Sequence, residues 1–405
     1  MSRDGNCMPD SFRAGRRLVV QTGLAGAAGL VAAGSRADEP AAAAGTPAGQ
    51  AEPAAPIEVA LLTQAGGAHL TAYLRALAAS PAVGRVRVAD PDAACFDEAR
   101  SILGGKLAGV SRERAGALAD PAPRMALLSM EAVASPPAIR EALERGAHVL
   151  AEKPACTSAA DFLALHAVAA ARGRQLMLAL ANRLNPEVVE ARRLVATGAI
   201  GRPVAVEMHL VQDRTRLERP AYQGSWFSDP RRAGGGHLSW LGIHWLDLAM
   251  HLVGDPIAEV AAFTANLGGQ PVAIEDSAVL SLRFAGGALG TLAGGYWLDA
   301  GFQSHLRIWG SGGWLSIDDG EPATLRLRVD GGPPGGEIVR TPAPGDAYSN
   351  FVHAVAEAIA RGTAPPIDSD ESLRVVRTVF AAYRAAKEGK SVPVADPDGA
   401  GTGGE

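Results

Sequence analysis

Cysteine is scarce: Cys7, Cys95 and Cys156 are the only three in 405 residues. That excludes a disulfide framework, and no Cys-x-x-Cys pair exists to hold a metal; a single Cys95–Cys156 bridge stays open. There is no basic cluster, and the formal net charge of −5 argues against a nucleic-acid partner. No internal repeat is visible. What is abundant is aliphatic: 47% of residues are hydrophobic and 20% charged, enough to bury the cores of two domains, so disorder is not the default.

The amino end carries Arg16 and Arg17, an apolar run from Leu18 to Ala33, and then "SRADEP", in which Ser35 and Ala37 make a small-x-small cleavage pattern. The order is that of a twin-arginine export signal over residues 1–37, which implies a periplasmic or extracytoplasmic protein. The apolar run has 16 residues, too short and too rich in Gly and Ala for a confident membrane span, and no integral span is expected in the mature chain. A retained anchor is the alternative. Cys7 precedes the run and is not placed as a lipoprotein cysteine. Cleavage after Ala37 would remove five arginines and two aspartates, taking the formal charge from −5 to −8. Residues 38–56 are Ala, Pro, Gly and Glu, a composition that cannot bury an apolar face and reads as a disordered spacer. Residues 395–405 read as a flexible tail.

From Ile57 onward, strand-like runs at 57–63, 86–90, 125–130, 147–152 and 175–180 alternate with Ala-rich amphipathic stretches. That alternation predicts a doubly wound parallel α/β domain over 57–180. After Asn182 the pattern changes to a helix near 187–197 and then successive strands joined by short Gly-containing turns. A second α+β domain over 181–394, with a mostly antiparallel open sheet, is the expectation. Helices near 347–361 and 369–388 would cover one face of it. A site at the junction of the two domains follows.

The segment "GGGHLSWLGIHWLDLAMHLVG" (234–254) spaces His237, His244 and His251 seven apart. On one helix, His244 and His251 would lie about 10 Å apart, too far to share one ion. No metal site is expected. His251 reads as a packed or partly exposed helix position, while His237, after three glycines, faces either the pocket or the loop.

The blocks "HVLAEKP" (148–154), "VATGAIGRPVAVEMH" (195–209), "WFSDPRRAGGGHLSWLGIHWLDLAMHLVG" (226–254) and the last helices (351–394) together resemble the glucose-fructose oxidoreductase and inositol dehydrogenase family, Gfo/Idh/MocA. The resemblance implies a Rossmann domain that binds NAD or NADP. It also implies a sheet domain that holds a sugar, cyclitol or related polyol, and a homo-oligomer formed through the outer face of that sheet. Glu152, Lys153 and Pro154 match the family's Glu-Lys-Pro motif. The lysine would sit beside both nicotinamide and substrate hydroxyl, where a cation favours a developing alkoxide, and Pro154 would fix the turn that aims it. His244 matches the catalytic histidine of the D-x-G-x-H-x-x-D motif, a proton shuttle suited to an imidazole titrating near neutrality. The aspartate of that motif is here Trp240, on which a sugar could stack. Asp247, one turn after His244, could supply part of the lost orientation, and His237 joins these as a substrate-side residue.

Two blocks depart from the family. Where G-x-G-x-x-G should follow the first strand, counting back from the next helix gives Ala65, Gly66, Gly67, Ala68, His69, Leu70, with one of three glycines in register; Gly66 and Gly67 remain the cofactor-side candidates. After the strand at 125–130 stands Glu131, which, if it points inward, would set negative charge near a diphosphate. Asp90, at the end of the second strand, is placed to hold the adenosine 2′-hydroxyl of NAD and repel the phosphate of NADP. It could equally be a turn residue, with Asp92 capping a helix. Three functions stay open: an exported oxidoreductase, a redox-neutral lyase or glycosidase using a retained cofactor, and a non-catalytic relative binding a carbohydrate or protein.

Overall fold

A computed structural model describes residues 54–318, 320 and 323–394. The export signal with Arg16 and Arg17, the spacer as far as residue 53, and the tail 395–405 lie outside the described residues.

The first domain is built on β1 (Ile57–Thr63), α1 (Leu70–Ala79), β2 (Val83–Ala89), α2 (Phe96–Leu103), β3 (Leu107–Ser111), α3 (Arg114–Ala117), β4 (Met125–Ser129), α4 (Ser135–Glu144), β5 (His148–Ala151), α5 (Ala159–Ala171) and β6 (Leu176–Leu178). Its six strands are all parallel, in the order β3-β2-β1-β4-β5-β6. β1 and β4 are apolar on both sides because helices cover both faces. The order reverses between them, which opens the usual ligand crevice at their carboxyl ends. β3 was not anticipated: "LAGVS" is a half-buried edge strand with no apolar alternation to announce it.

After α6 (Pro186–Ala196), β7 (Pro203–Asp213) opens a nine-stranded sheet. The chain then leaves the sheet through three single turns, α7 (Thr215–Glu218), α8 (Pro220–Gln223) and α9 (Pro230–Ala233), a π-helical turn at Leu238–Gly242, and α10 (Ile243–Val253). It returns through β8 (Ile257–Ala265), β9 (Ser277–Phe284), β10 (Leu289–Leu298), β11 (Phe302–Gly310), β12 (Gly313–Asp318), β13 (Thr324–Val329) and β14 (Glu337–Val339). α11 (Ala347–Arg361), α12 (Ser369–Glu388) and the short β15 (Val392–Pro393) follow. The order is β14-β13-β12-β11-β7-β10-β9-β8-β15. Pairing is antiparallel except between β7 and β10.

Alternation decides the faces. Val206, Met208 and Leu210 of β7 point inward, as do Leu280 and Leu282 of β9 and Leu306 and Ile308 of β11; α10 packs on β7 and β11, and α12 packs on β8. α12 begins at a capping box, Asp368 accepting from Glu371 N while Glu371 accepts from Asp368 N. It stops where Gly389 turns left-handed at φ 66°. Among the described residues no helix is long and apolar enough to cross a membrane.

Candidate active site

The loop from β1 to α1 forms the first wall. Thr63 Oγ1 donates to Ser129 O at 2.8 Å, pinning the end of β1 to the end of β4. Gly66 turns at φ 75°, and a Cβ on Gly67 would fall 2.3 Å from Ser129 O, so these two glycines serve the turn and a close backbone approach. Counted from the end of β1 rather than back from α1, no register recovers three glycines. No side chain caps α1, so the amide end of the helix is left for an anion such as a diphosphate.

Asp90 does not serve as expected. It is fully buried, and its carboxylate accepts from Asp92 N and Cys95 N, both at 3.0 Å, so it closes the turn before α2 instead of facing a ribose. The exposed acid beside the loop is Asp92, which caps no helix; its Oδ2 accepts from Ala65 N at 3.1 Å. Glu131 adds no uncompensated charge, because Arg232 pairs with it at 2.7 Å.

The carboxyl end of β5 delivers the next group. Lys153 is 3% exposed; its Nζ donates to Trp240 O at 2.7 Å, lies 3.7 Å from the centre of the Trp240 ring, and is 3.8 Å from Glu152 Oε1. Burial is the main cause that lowers its pKa to about 7; Arg216 pushes the same way and Glu152 opposes both. Glu152 is held by His69 Nδ1 at 3.1 Å and by the Tyr73 hydroxyl. Burial would raise the pKa of its carboxyl, but His69 and Lys153 outweigh that and keep it ionised. The side chain of His69 is 35% exposed and packs on Tyr348, so this polar chain runs from Lys153 to the surface. The ring of Pro154 lies beneath Gly234, where a Cβ would meet it at 3.4 Å.

The second wall is the excursion between β7 and β8. Trp226 Nε1 donates to Gly66 O at 3.0 Å, and Trp226, Phe227 and Trp240 pack together with ring centres 3.9 to 5.2 Å apart, burying Ala68 of the loop. Glu275 anchors the glycine-rich turn: its carboxylate accepts from Gly236 N at 2.7 Å, Leu238 N at 2.9 Å and Tyr383 Oη at 2.7 Å. His237 is fully buried, edge-on to Tyr296 at 5.2 Å, with neither ring nitrogen partnered.

Lys153, Glu152, His244 and Trp240 are brought together; Asp90, Asp247 and His251 are not. His244, on α10, feels the charges of Lys153, Glu152 and His69. Burial first, then Lys153, lowers its pKa to about 3, so it is a neutral imidazole rather than one titrating near neutrality. The group that titrates near pH 7 is Lys153. Asp247 does not orient His244: it is buried against Arg183, which donates to it from Nε and Nη2 at 2.7 to 3.1 Å. A carboxylate so fully committed has nothing left for a substrate. His251 lies in the last turn of α10, half-buried. The sequence reading missed His69, Tyr73, Arg216, Tyr222, Glu275 and Tyr296. Its one available signal was the basic stretch "DRTRLERP" (213–220) directly after a strand end.

Two domains of one family match this chain. Residues 65–180 match "Oxidoreductase family, NAD-binding Rossmann fold" and residues 188–316 match the GFO/IDH/MocA C-terminal domain, together more than half of the chain. D-xylose 1-dehydrogenase (NADP(+)) 2 of Haloferax volcanii is 29% identical over 63% of this chain and 74% of its own length. Myo-inositol 2-dehydrogenase of Thermotoga maritima is 23% identical over 60% and 72%. The solved structure of levoglucosan dehydrogenase with NADH and levoglucosan superposes with a TM-score of 0.75 at 20% identity, covering 84% of this chain and 99% of that one. The first domain is therefore an NAD-binding Rossmann fold. The uncapped start of α1 fits the diphosphate of that cofactor.

Proposed function

The chain belongs to the GFO/IDH/MocA oxidoreductases, and from that premise we propose that it is an NAD-dependent dehydrogenase acting on a CH–OH group of a sugar or cyclitol. The observation that carries the reading is Lys153: a buried amine with a pKa of about 7, at the junction of the two domains and beside His244. A general base is most effective when its pKa lies near the working pH. NAD, when bound, supplies the hydride acceptor. Lys153 takes the hydroxyl proton, neutral His244 positions the oxygen by a hydrogen bond, and the Glu152–His69 pair offers the proton a way to solvent. The Trp240 ring, on which the sequence suggested a sugar could stack, is instead occupied by Lys153, Trp226 and Phe227 and forms the wall behind the lysine. Asp92, rather than Asp90, is the acid available to a ribose, and it disfavours the extra phosphate of NADP.

Export follows from Arg16, Arg17 and the run after them. A homo-oligomer through the outer sheet face is favoured by the exposure of Phe263, Val279, Leu289 and Trp297. A non-catalytic reading is favoured by one pair of contacts, Trp226 on Gly66 and Asp92 on Ala65, which crowd the loop.

Titrating the protein with NAD by tryptophan fluorescence, then screening sugars and cyclitols for nicotinamide reduction, separates the readings. Turnover is expected to rise with pH through about 7, as Lys153 loses its proton. Lys153→Met should lower kcat by about 10²–10⁴-fold while NAD affinity stays near that of the parent. Undiminished turnover, or no NAD binding at millimolar concentration, overturns the proposal.

A further inference from the structure

Several buried polar atoms in the second wall have no protein partner. The Trp240 indole N–H and both His237 ring nitrogens lack a well-formed hydrogen bond, in residues that are 5% and 0% exposed, while the Tyr296 hydroxyl, in a residue 3% exposed, has only Arg216 and Tyr222 beside it. They belong to one neighbourhood. Tyr222, Tyr296 and Trp240 share a single apolar cluster, His237 packs on Tyr296, and the Arg216 guanidinium lies 5.9 Å from the centre of the Tyr296 ring. The charge of Arg216 reaches both Lys153 and His237.

The Tyr296 hydroxyl and, from farther away, the charge of Asp213 answer that guanidinium only in part. Among the described residues no carboxylate lies within 4.0 Å of Arg216. The acids around it are committed: Glu275 to Gly236, Leu238 and Tyr383; Asp276 to Leu267, Gly268 and Ser277; Asp213 to Thr215. The neighbourhood offers the guanidinium fork, the indole N–H, one N–H of neutral His237 and the tyrosine hydroxyls as donors. A neutral polyol would leave the charge of the guanidinium without a counter-charge. A carboxylate takes only donors, and the fork of an arginine matches its two oxygens.

We infer that Arg216, with Tyr296, His237 and the indole N–H of Trp240, forms a subsite for the carboxylate of an acidic sugar, a uronate or an aldonate. The subsite rests on the proposed function for the reaction it would serve, but not for the binding. One end of the substrate is held at Arg216, so that a hydroxyl elsewhere on the same molecule lies at Lys153. The proximity of two cations, unfavourable in the free protein, is relieved when the anion enters.

The test uses the full chain with NAD present. D-Glucuronate, D-galacturonate and D-gluconate are titrated against D-glucose, D-galactose and myo-inositol by tryptophan fluorescence and calorimetry, with inorganic phosphate as a competitor. At least one acid should bind about tenfold or more tighter than its neutral counterpart. Arg216→Met should erase that preference, Arg216→Lys should keep part of it, and Trp240→Phe should weaken the acid by several-fold. Melting curves of each variant confirm that it folds. Equal affinity for acids and neutral sugars, a preference that survives Arg216→Met, tighter binding of phosphate than of any sugar acid, or no binding at all overturns the inference. Arg216-dependent binding without nicotinamide reduction keeps the subsite and overturns the redox reading. Reduction of NAD by a neutral sugar, unaffected at Arg216, does the reverse.

Discussion

Arg183 and Arg216 are both drawn into the protein, and they are treated in opposite ways. Arg183 is enclosed and saturated, with Asp247 on Nε and Nη2, and with Glu371 at 2.9 Å and Pro366 O at 3.1 Å on Nη1. Arg216 has aromatic rings and hydroxyls around it and no carboxylate. A buried cation paired with carboxylates of its own chain holds a fold together; one met only by hydroxyls and a more distant Asp213 is left able to pair with an incoming anion. The same contrast divides the acids: Asp247 and Asp90 are spent on the scaffold, whereas Asp92 retains an exposed oxygen.

The largest expected effect tests the structural half. Asp247→Ala removes the buried bidentate partner of Arg183, leaving it only the partly exposed Glu371, and should cost about 3 kcal/mol of stability by urea denaturation. Arg216→Met, which removes a charge without an ion-pair partner, should stay within about 1 kcal/mol of the parent. Equal losses would dissolve the distinction. Acid titration sharpens it next. His237 is held to a pKa of about 3 by burial, against 6.5 when free. The unfolded chain thus binds a proton that the folded one refuses, and the stability present above pH 6.5 is lost as pH falls toward 3. His237→Phe should make that acid slope shallower by one proton, about 1.4 kcal/mol per pH unit, in denaturation curves taken between pH 6 and 4. The smallest effect concerns the bridge between the walls. Trp226→Phe keeps the ring stack but deletes the bond to Gly66 O, and should cost about 0.5–1.5 kcal/mol in the same assay.

Much of this was legible before any coordinates. β1, α11 and α12 fall where the sequence puts them, β1 because it is an unbroken apolar run and the two helices because each is long and one-sided. β3 was invisible because an edge strand needs few apolar residues. The parallel pairing of β7 with β10 joins residues far apart in sequence, and nothing local encodes it. At the site, Lys153, His244 and Trp240 stood in motifs. Arg216 and Tyr296 stand in none, and a tyrosine or an arginine reads as surface until the fold encloses it. Asp90 and Asp247 misled for the converse reason: the sequence displays a carboxylate but not the amides and guanidinium that consume it.

The parallel pairing of β7 with β10 decides where the site is built. Antiparallel neighbours need only a hairpin, but parallel ones oblige the chain to travel. Arg216, Tyr222, Trp226, His237, Trp240 and His244 all lie on the first stage of that journey, between Asp213 and Ile257. His237 comes back onto β10 at Gly294 and Tyr296, so the detour that a parallel pair requires is folded down over the same sheet and becomes the roof of the site.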